Sequence, residues 1–240
     1  MFRPLRRVLL PRCGPVAGNA SKSIHRQPSG VPSSRRARLA SETRCAVGSM
    51  AGPTTKSISK RKLGWSDEYV SSVCLGTMTF GVQNTQEQAN ELMDYYVKEC
   101  GGNLLDVAEM YPAPASDPRW FPGKSEEIIG NWLAANPEWR SKVLIATKVM
   151  GFSPGSDTIG NRKLTLGNGG SVGENGLPEK GPSRLTRESV LEACDASLKR
   201  LQVDYIDLYQ IHWPDRYVPI FGSFGYDRSK ERPNSVPIAE

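Results

Sequence analysis

Long apolar runs are missing from this 240-residue sequence. No segment approaches the ~18 consecutive apolar residues that a spanning helix needs, so a membrane partner is not expected and the chain reads as soluble. Histidine is scarce, with only His25 and His212. The five cysteines (Cys13, Cys45, Cys74, Cys100, Cys194) are odd in number, scattered, and form no C-x-x-C pair. Neither zinc-ligand spacing nor a disulfide framework can be drawn from that set. The expectation is reduced thiols, mostly packing residues, and no metal.

Acidic residues are absent from the first 41 positions, which carry nine Lys and Arg; the first acid is Glu42. The net charge of +6 therefore belongs to that arm, because the other 22 bases face 25 acids, a balance of −3. This removes the basic-protein reading, and with it nucleic acid as a partner. Arg3, Arg6, Arg7 and Arg12 flank Val8-Leu9-Leu10, ahead of a Ser-, Pro-, Arg- and Ala-rich stretch. An Arg- and Ser-rich, acid-poor segment without a long apolar core describes an organelle transit peptide rather than a secretory signal. Residues 1–50 are thus expected to be a disordered targeting leader. Arg44-Cys45-Ala46 resembles the end of a plastid transit peptide, which puts chloroplast ahead of mitochondrion, and Met50 could serve as an internal start. A basic arm touching RNA or membrane is the bland alternative.

What is present after residue 63 alternates between short apolar runs and helical periodicities. Leu63–Ser66 and Tyr69–Ser72 read as a small hairpin around Ser66-Asp67-Glu68. Val73–Gly81 reads as a first buried strand. Thr85-x-x-Gln88 has the form of a capping box, and behind it Ala89, Leu92, Met93, Tyr96, Val97 and Cys100 share one helical face. Asn103–Tyr111 (NLLDVAEMY), entered through Gly101-Gly102 and left through prolines, reads as a buried parallel strand. A helix over 125–135 presents Ile128, Ile129, Trp132 and Leu133, and Lys142–Val149 is a third strand. Residues 151–183, dominated by Gly, Asn and Ser, read as a long loop leaning toward disorder. Thr186 caps a third helix with Val190, Cys194, Ser197, Leu198 and Leu201 on one face, and Tyr205–Trp213 is the fourth strand.

Strand and helix in alternation mean βαβ units and a parallel sheet. An open nucleotide-binding sheet would carry G-x-G-x-x-G in its first strand-to-helix turn, and Gly76–Gly81 lacks the second glycine. That favours a (β/α)8 barrel, whose sites sit where the carboxyl ends of the strands meet. Tyr111, Lys148 and His212 close three successive predicted strands, and Asp106 lies deeper in the first of them. A carboxylate in a buried strand needs a cation, and Lys148 can supply it. An ammonium near Tyr111 is expected to lower the phenol's pKa and make it a general acid at neutrality, with His212 donating to a substrate oxygen. Taken singly, each residue has a bland reading: a strand-end carboxylate, a half-buried tyrosine, a snorkelling lysine and a satisfied core histidine. Their coincidence at matching strand ends makes the case for a site.

These residues carry a family likeness. LGTMTFG (75–81), NLLDVAEMYPAP (103–114), GNWLA (130–134), LIATKV (144–149) and SLKRLQVDYIDLYQIHWP (197–214) resemble an aldo-keto reductase, close to the Tas-like branch, over about residues 63–240. The resemblance implies an α/β fold of TIM-barrel type and reduction of aldehydes and ketones to alcohols with NADP(H), without metal. It implies the catalytic tetrad Asp106, Tyr111, Lys148 and His212. It also places Gly76, Thr77, Met78 and Asp106 at the nicotinamide, and Tyr111, His212 and Trp213 at a small carbonyl substrate. Only four strands are legible against the eight of a complete barrel, so the expectation is a barrel truncated after its fourth strand. The segments with which the family holds much of the cofactor follow that strand. The alternative is therefore an inactive reductase-like chain, or a reductase-like binding subunit resembling the potassium-channel β subunits. Substrate identity and oligomeric state are not legible.

Overall fold

The structure, a computed structural model, describes residues 57–220 and 222–238. The expected leader 1–50, with Met50, His25, Cys13 and Cys45, lies outside the described residues. The described chain enters through an antiparallel hairpin, β1 (Lys60–Lys62) and β2 (Tyr69–Ser71), in register Lys60↔Ser71. The first strand lies upstream of its expected position. Leu63–Ser66 is a turn instead, closed by Leu63 N–H donating to Glu68 O at 2.9 Å and Ser66 Oγ to Leu63 O at 2.7 Å. The hairpin is tied down by Asn103, whose side-chain oxygen accepts from Ser71 N–H and Oγ at 2.8 Å.

A four-stranded parallel sheet follows, in spatial order β3 (Leu75–Gly76), β4 (Leu104–Asp106), β5 (Leu144–Val149) and β8 (Leu208–Ile211). The registers are Gly76↔Asp106, Asp106↔Ala146 and Lys148↔Gln210. Sequential neighbours pair, and helices connect them: α1 (Gln86–Asp94), α2 (Lys124–Ala135) and α4 (Arg187–Leu201). This is the strand order of a (β/α)8 barrel wall, and among the described residues it comprises four strands.

The predicted helices form for the expected reasons. Thr85 accepts from Gln88 N–H while Gln88 Oε1 accepts from Thr85 N–H, so the capping box is made at both ends. Ala89, Met93, Tyr96 and Val97 are buried, but Leu92 is exposed and the helix leaves α geometry in a π turn over Tyr95–Glu99. On α2 all four predicted residues are buried. On α4 the buried set is Ala193, Ala196, Ser197, Arg200 and Leu201, a face rotated slightly from the one expected. Arg200 turns inward on this face to Glu126 at 2.7 Å, and Thr147 Oγ1 donates to the same carboxylate at 2.6 Å. The core between sheet and helices includes Phe80, Met93, Leu105, Ile129, Trp132, Ile145 and Leu201. Each such side chain stabilises by about 1.5–3 kcal/mol on burial.

Two differences matter for the site. The runs Val73–Gly81 and Asn103–Tyr111 are strands only over 75–76 and 104–106. Beyond them the backbone turns: Phe80 N–H donates to Thr77 O and Tyr111 N–H to Ala108 O, both at 3.0 Å. Secondly, 151–183 is not a structureless loop. It is a β-hairpin, β6 (Ser153–Ser156) with β7 (Gly181–Ser183), carrying helix α3 (Asp157–Leu166) between its strands. Ser156 caps α3 through Thr158 N–H, and Gly167 ends it at φ 75°. A sequence scan for apolar faces misses this helix because polar groups anchor it, with Asn161 and Arg162 among its buried residues.

Candidate active site

Three strand ends, those of β4, β5 and β8, bring Asp106, Tyr111, Lys148, His212 and Trp213 to one place. Asp106 ends β4, and Lys148, the penultimate residue of β5, leans across to it. Its Nζ lies 2.8 Å from both carboxylate oxygens and 2.7 Å from Val107 O. The lysine side chain is 13% exposed and the aspartate side chain 34%. The expected pairing of buried cation and strand carboxylate is therefore made, and the carbonyl takes another of the ammonium's three donors.

Tyr111 arrives from the turn after β4, with its ring centroid 5.1 Å from Lys148 Nζ. His212 follows β8, held by its backbone N–H donating to Val149 O at 2.9 Å. Its ring meets Tyr111 edge to face, centroids 5.7 Å apart at 83°. Trp213 stacks obliquely on His212 at 5.1 Å and donates Nε1–H to Phe152 O at 3.0 Å. Asp106, Lys148, Tyr111, His212 and Trp213 thus form one continuous cluster.

The electrostatics differ from expectation at Tyr111. Burial pushes its pKa up and the Asp106 carboxylate adds to the rise, so the phenol is held above its ordinary value rather than lowered. Desolvation, the larger of the two causes, and the carboxylate act in the same direction. Tyr111 is consequently a neutral O–H donor at neutral pH. Burial lowers His212 below its usual value and the Lys148 charge lowers it further, leaving a neutral imidazole. Its Nδ1 is buried without a hydrogen-bond partner among the described residues.

Of the four residues expected at a cofactor, the three besides Asp106 diverge. Gly76 and Met78 are exposed, and a Cβ built on Gly76 would meet nothing within 4 Å. Thr77 is fully buried, its Oγ1 donating to Asp106 O at 2.8 Å. It shapes the turn and offers no side chain to the open face. Of the cysteines described, Cys74 is exposed rather than packed, its thiol donating to Leu104 O at 3.3 Å. Among the described residues no cluster of three or more His, Cys, Asp or Glu could hold a metal ion.

Several buried charges went unread in the sequence. Glu109 is 0% exposed and lies two residues before Tyr111. It accepts Met150 N–H at 2.6 Å and both Nε and Nη2 of Arg162, at 2.7 and 2.6 Å. The reasoning that demanded a cation for Asp106 applied equally to Glu109, three positions on in the same apolar run. Asp215, fully buried after Trp213-Pro214, gathers Arg184, Arg232 and the N–H groups of Leu185 and Val236.

The aldo/keto reductase family model matches residues 72–229, more than half of the chain. The protein Tas of Escherichia coli is 43% identical over 164 residues, covering 68% of this chain and 41% of Tas. The uncharacterised oxidoreductase YrpG of Bacillus subtilis is 34% identical over 160 residues, covering 65% of this chain and 40% of YrpG. A solved structure of a provisionally assigned aldo-keto reductase from Pseudomonas aeruginosa is 22% identical with a TM-score of 0.46, covering 68% of this chain and 50% of that one. The chain thus spans about two fifths of the length of the curated relatives it matches.

Proposed function

This chain belongs to the aldo/keto reductase family, and from that premise we propose that its site serves the reduction of an aldehyde or ketone to an alcohol by NADPH. The observation that carries the reading is the placement of Lys148 Nζ, fixed by Asp106 and Val107 O and 5.1 Å from the Tyr111 ring. A buried ammonium so placed serves proton delivery from the phenol.

The residues at the open strand ends fit a nicotinamide. Gly76 leaves free space above β3, beside the partly exposed Asp106 and the exposed Met78, which is room for a flat ring. Gly76, Met78 and Asp106 would border a reduced nicotinamide there, which would supply the hydride for the substrate carbon. Tyr111 donates its O–H to the carbonyl oxygen and gives up the proton as negative charge develops there. Because burial and Asp106 hold its pKa high, the proton is present at neutral pH. Lys148 offsets the charge left on the phenolic oxygen, and Asp106 keeps the ammonium in place. His212, held neutral, orients the same substrate oxygen by a hydrogen bond from its ring without competing as the acid. Trp213 walls the pocket beside it.

The test is NADPH consumption by the natural protein carrying these residues, against a panel of aldehydes and ketones, with the alcohol quantified. The reading requires equimolar NADPH loss and alcohol, abolished by Tyr111→Phe. NADPH binding without turnover of any carbonyl would overturn it and favour a reductase-like binding subunit. The same reading takes residues 1–50 as a chloroplast leader. A fluorescent fusion of those residues entering plastids supports this, and a mitochondrial or cytosolic signal refutes it.

A further inference from the structure

We propose that the inserted helix α3 is a clamp on the loop bearing Tyr111, with Asn161 and Arg162 as positioning residues for proton transfer; this rests on the reading of Tyr111 as the acid. The two consecutive side chains reach the loop from either side of Tyr111.

On one side, Arg162 holds Glu109 in a bidentate pair, and both are essentially inaccessible, at 1% and 0% side-chain exposure. Arg162 Nη1 also donates to Ser189 Oγ at 3.0 Å, which anchors the guanidinium to α4. Glu109 is in turn fastened across the end of β5. Its N–H donates to Lys148 O at 3.3 Å and its carboxylate accepts Met150 N–H at 2.6 Å. One carboxylate therefore fixes the distance between the Tyr111 loop and the strand end that carries Lys148.

On the other side, Asn161 Nδ2 donates to Pro122 O at 2.5 Å. The next residue, Gly123, donates its N–H to Tyr111 O at 2.9 Å. Gly123 has φ 84°, and a Cβ there would come within 2.7 Å of Asn161 Nδ2, so the loop lies directly against α3. Neither Asn161 nor Arg162 touches Tyr111's hydroxyl. They act through the Glu109 carboxylate and through the Pro122-Gly123 backbone that bonds Tyr111 O.

A buried ion pair is a poor way to gain stability, since apolar residues of similar volume often serve as well or better. Its fixed fork geometry does restrict position, and position is what proton transfer needs. A displacement of about 1 Å at a reacting group can cost about 10²-fold in rate.

Arg162→Met alone would strand a buried carboxylate and unfold the region, so the test uses Glu109→Gln with Arg162→Met in one protein. The amide oxygen still accepts Met150 N–H and no charge is left unpaired. Asn161→Ala loosens the other side independently, and Arg162→Lys is the conservative comparison. In the natural protein, the amides of Tyr111 and Gly123 are expected to exchange with solvent about tenfold faster in the double variant and in Asn161→Ala, with α2 and β5 unchanged. The kcat for carbonyl reduction falls about 10- to 100-fold in the double variant. The NADPH Kd stays within about twofold while the solvent isotope effect on kcat rises, as proton delivery becomes slower. Arg162→Lys recovers part of the loss. Unchanged amide exchange overturns the clamp, as does faster exchange with kcat and isotope effect both unmoved. If the wild-type protein reduces no carbonyl, the functional reading fails, and the clamp then stands or falls on the amide exchange alone.

Discussion

Replacing Lys148 by methionine removes the ammonium and keeps the length of the side chain. Its Nζ lies 5.1 Å from the Tyr111 ring. At an effective dielectric of about 20, a unit charge about 5 Å from a phenolate charge shared between ring and oxygen stabilises it by about 3 kcal/mol. The Asp106 side chain is 34% exposed, and water screening through it brings the figure toward about 2 kcal/mol. At 1.36 kcal/mol per factor of ten, kcat should fall about 30- to 150-fold. Fold and cofactor affinity should change little, because the bereaved carboxylate still reaches solvent. The assay is steady-state reduction at saturating NADPH and carbonyl, with NADPH titration and thermal unfolding as controls. A kcat within threefold of wild type, in a protein that unfolds normally and binds NADPH normally, would refute the assignment of Lys148 to the phenol.

Further outcomes test the frame around the site. Arg200→Met strands Glu126, which is fully buried, and should destabilise by about 3–5 kcal/mol in urea unfolding. Glu126→Gln with Arg200→Met should recover most of that loss, since no charge remains unpaired. Gly130→Ala places a methyl 2.2 Å from Arg200 O, where α2 crosses α4, and should cost about 1–3 kcal/mol by the same method. For Asp215, burial pushes the pKa up, but hydrogen bonds from Arg184, Val236 and Leu185 outweigh it and leave the value below the usual carboxylate range. A depressed carboxylate stabilises above its unfolded pKa of about 3.9. That contribution is lost as pH falls through the folded value. The Tm difference between wild type and Asp215→Asn should therefore be full at neutral pH, shrink below about 4 and vanish in stronger acid.

The residues of the candidate site were legible because each carried a chemical demand that its neighbours in sequence could not meet. Asp106 in an apolar run required a cation, and strand order placed Lys148 beside it. The capping box at Thr85 and the apolar face of α2 followed from local spacing alone. Strand lengths did not. Phe80, Val107 and Ala108 are buried just beyond the strand ends, and buried irregular backbone has the same apolar composition as a buried strand. Helix α3 was illegible because its anchors are Asn161 and Arg162, whose partners Pro122 and Glu109 lie about 40 and 53 residues away. The direction of the Tyr111 pKa also depended on desolvation, which only the packed structure reveals.

The most direct measurement of the central claim is deuterium transfer. The natural protein is given NADPH deuterated at the hydride-bearing carbon and an aldehyde substrate, and the alcohol is analysed by mass spectrometry. The account predicts one deuterium on the former carbonyl carbon per NADPH oxidised, and none from Tyr111→Phe under the same conditions. Alcohol without deuterium, or full labelling by Tyr111→Phe, would contradict it.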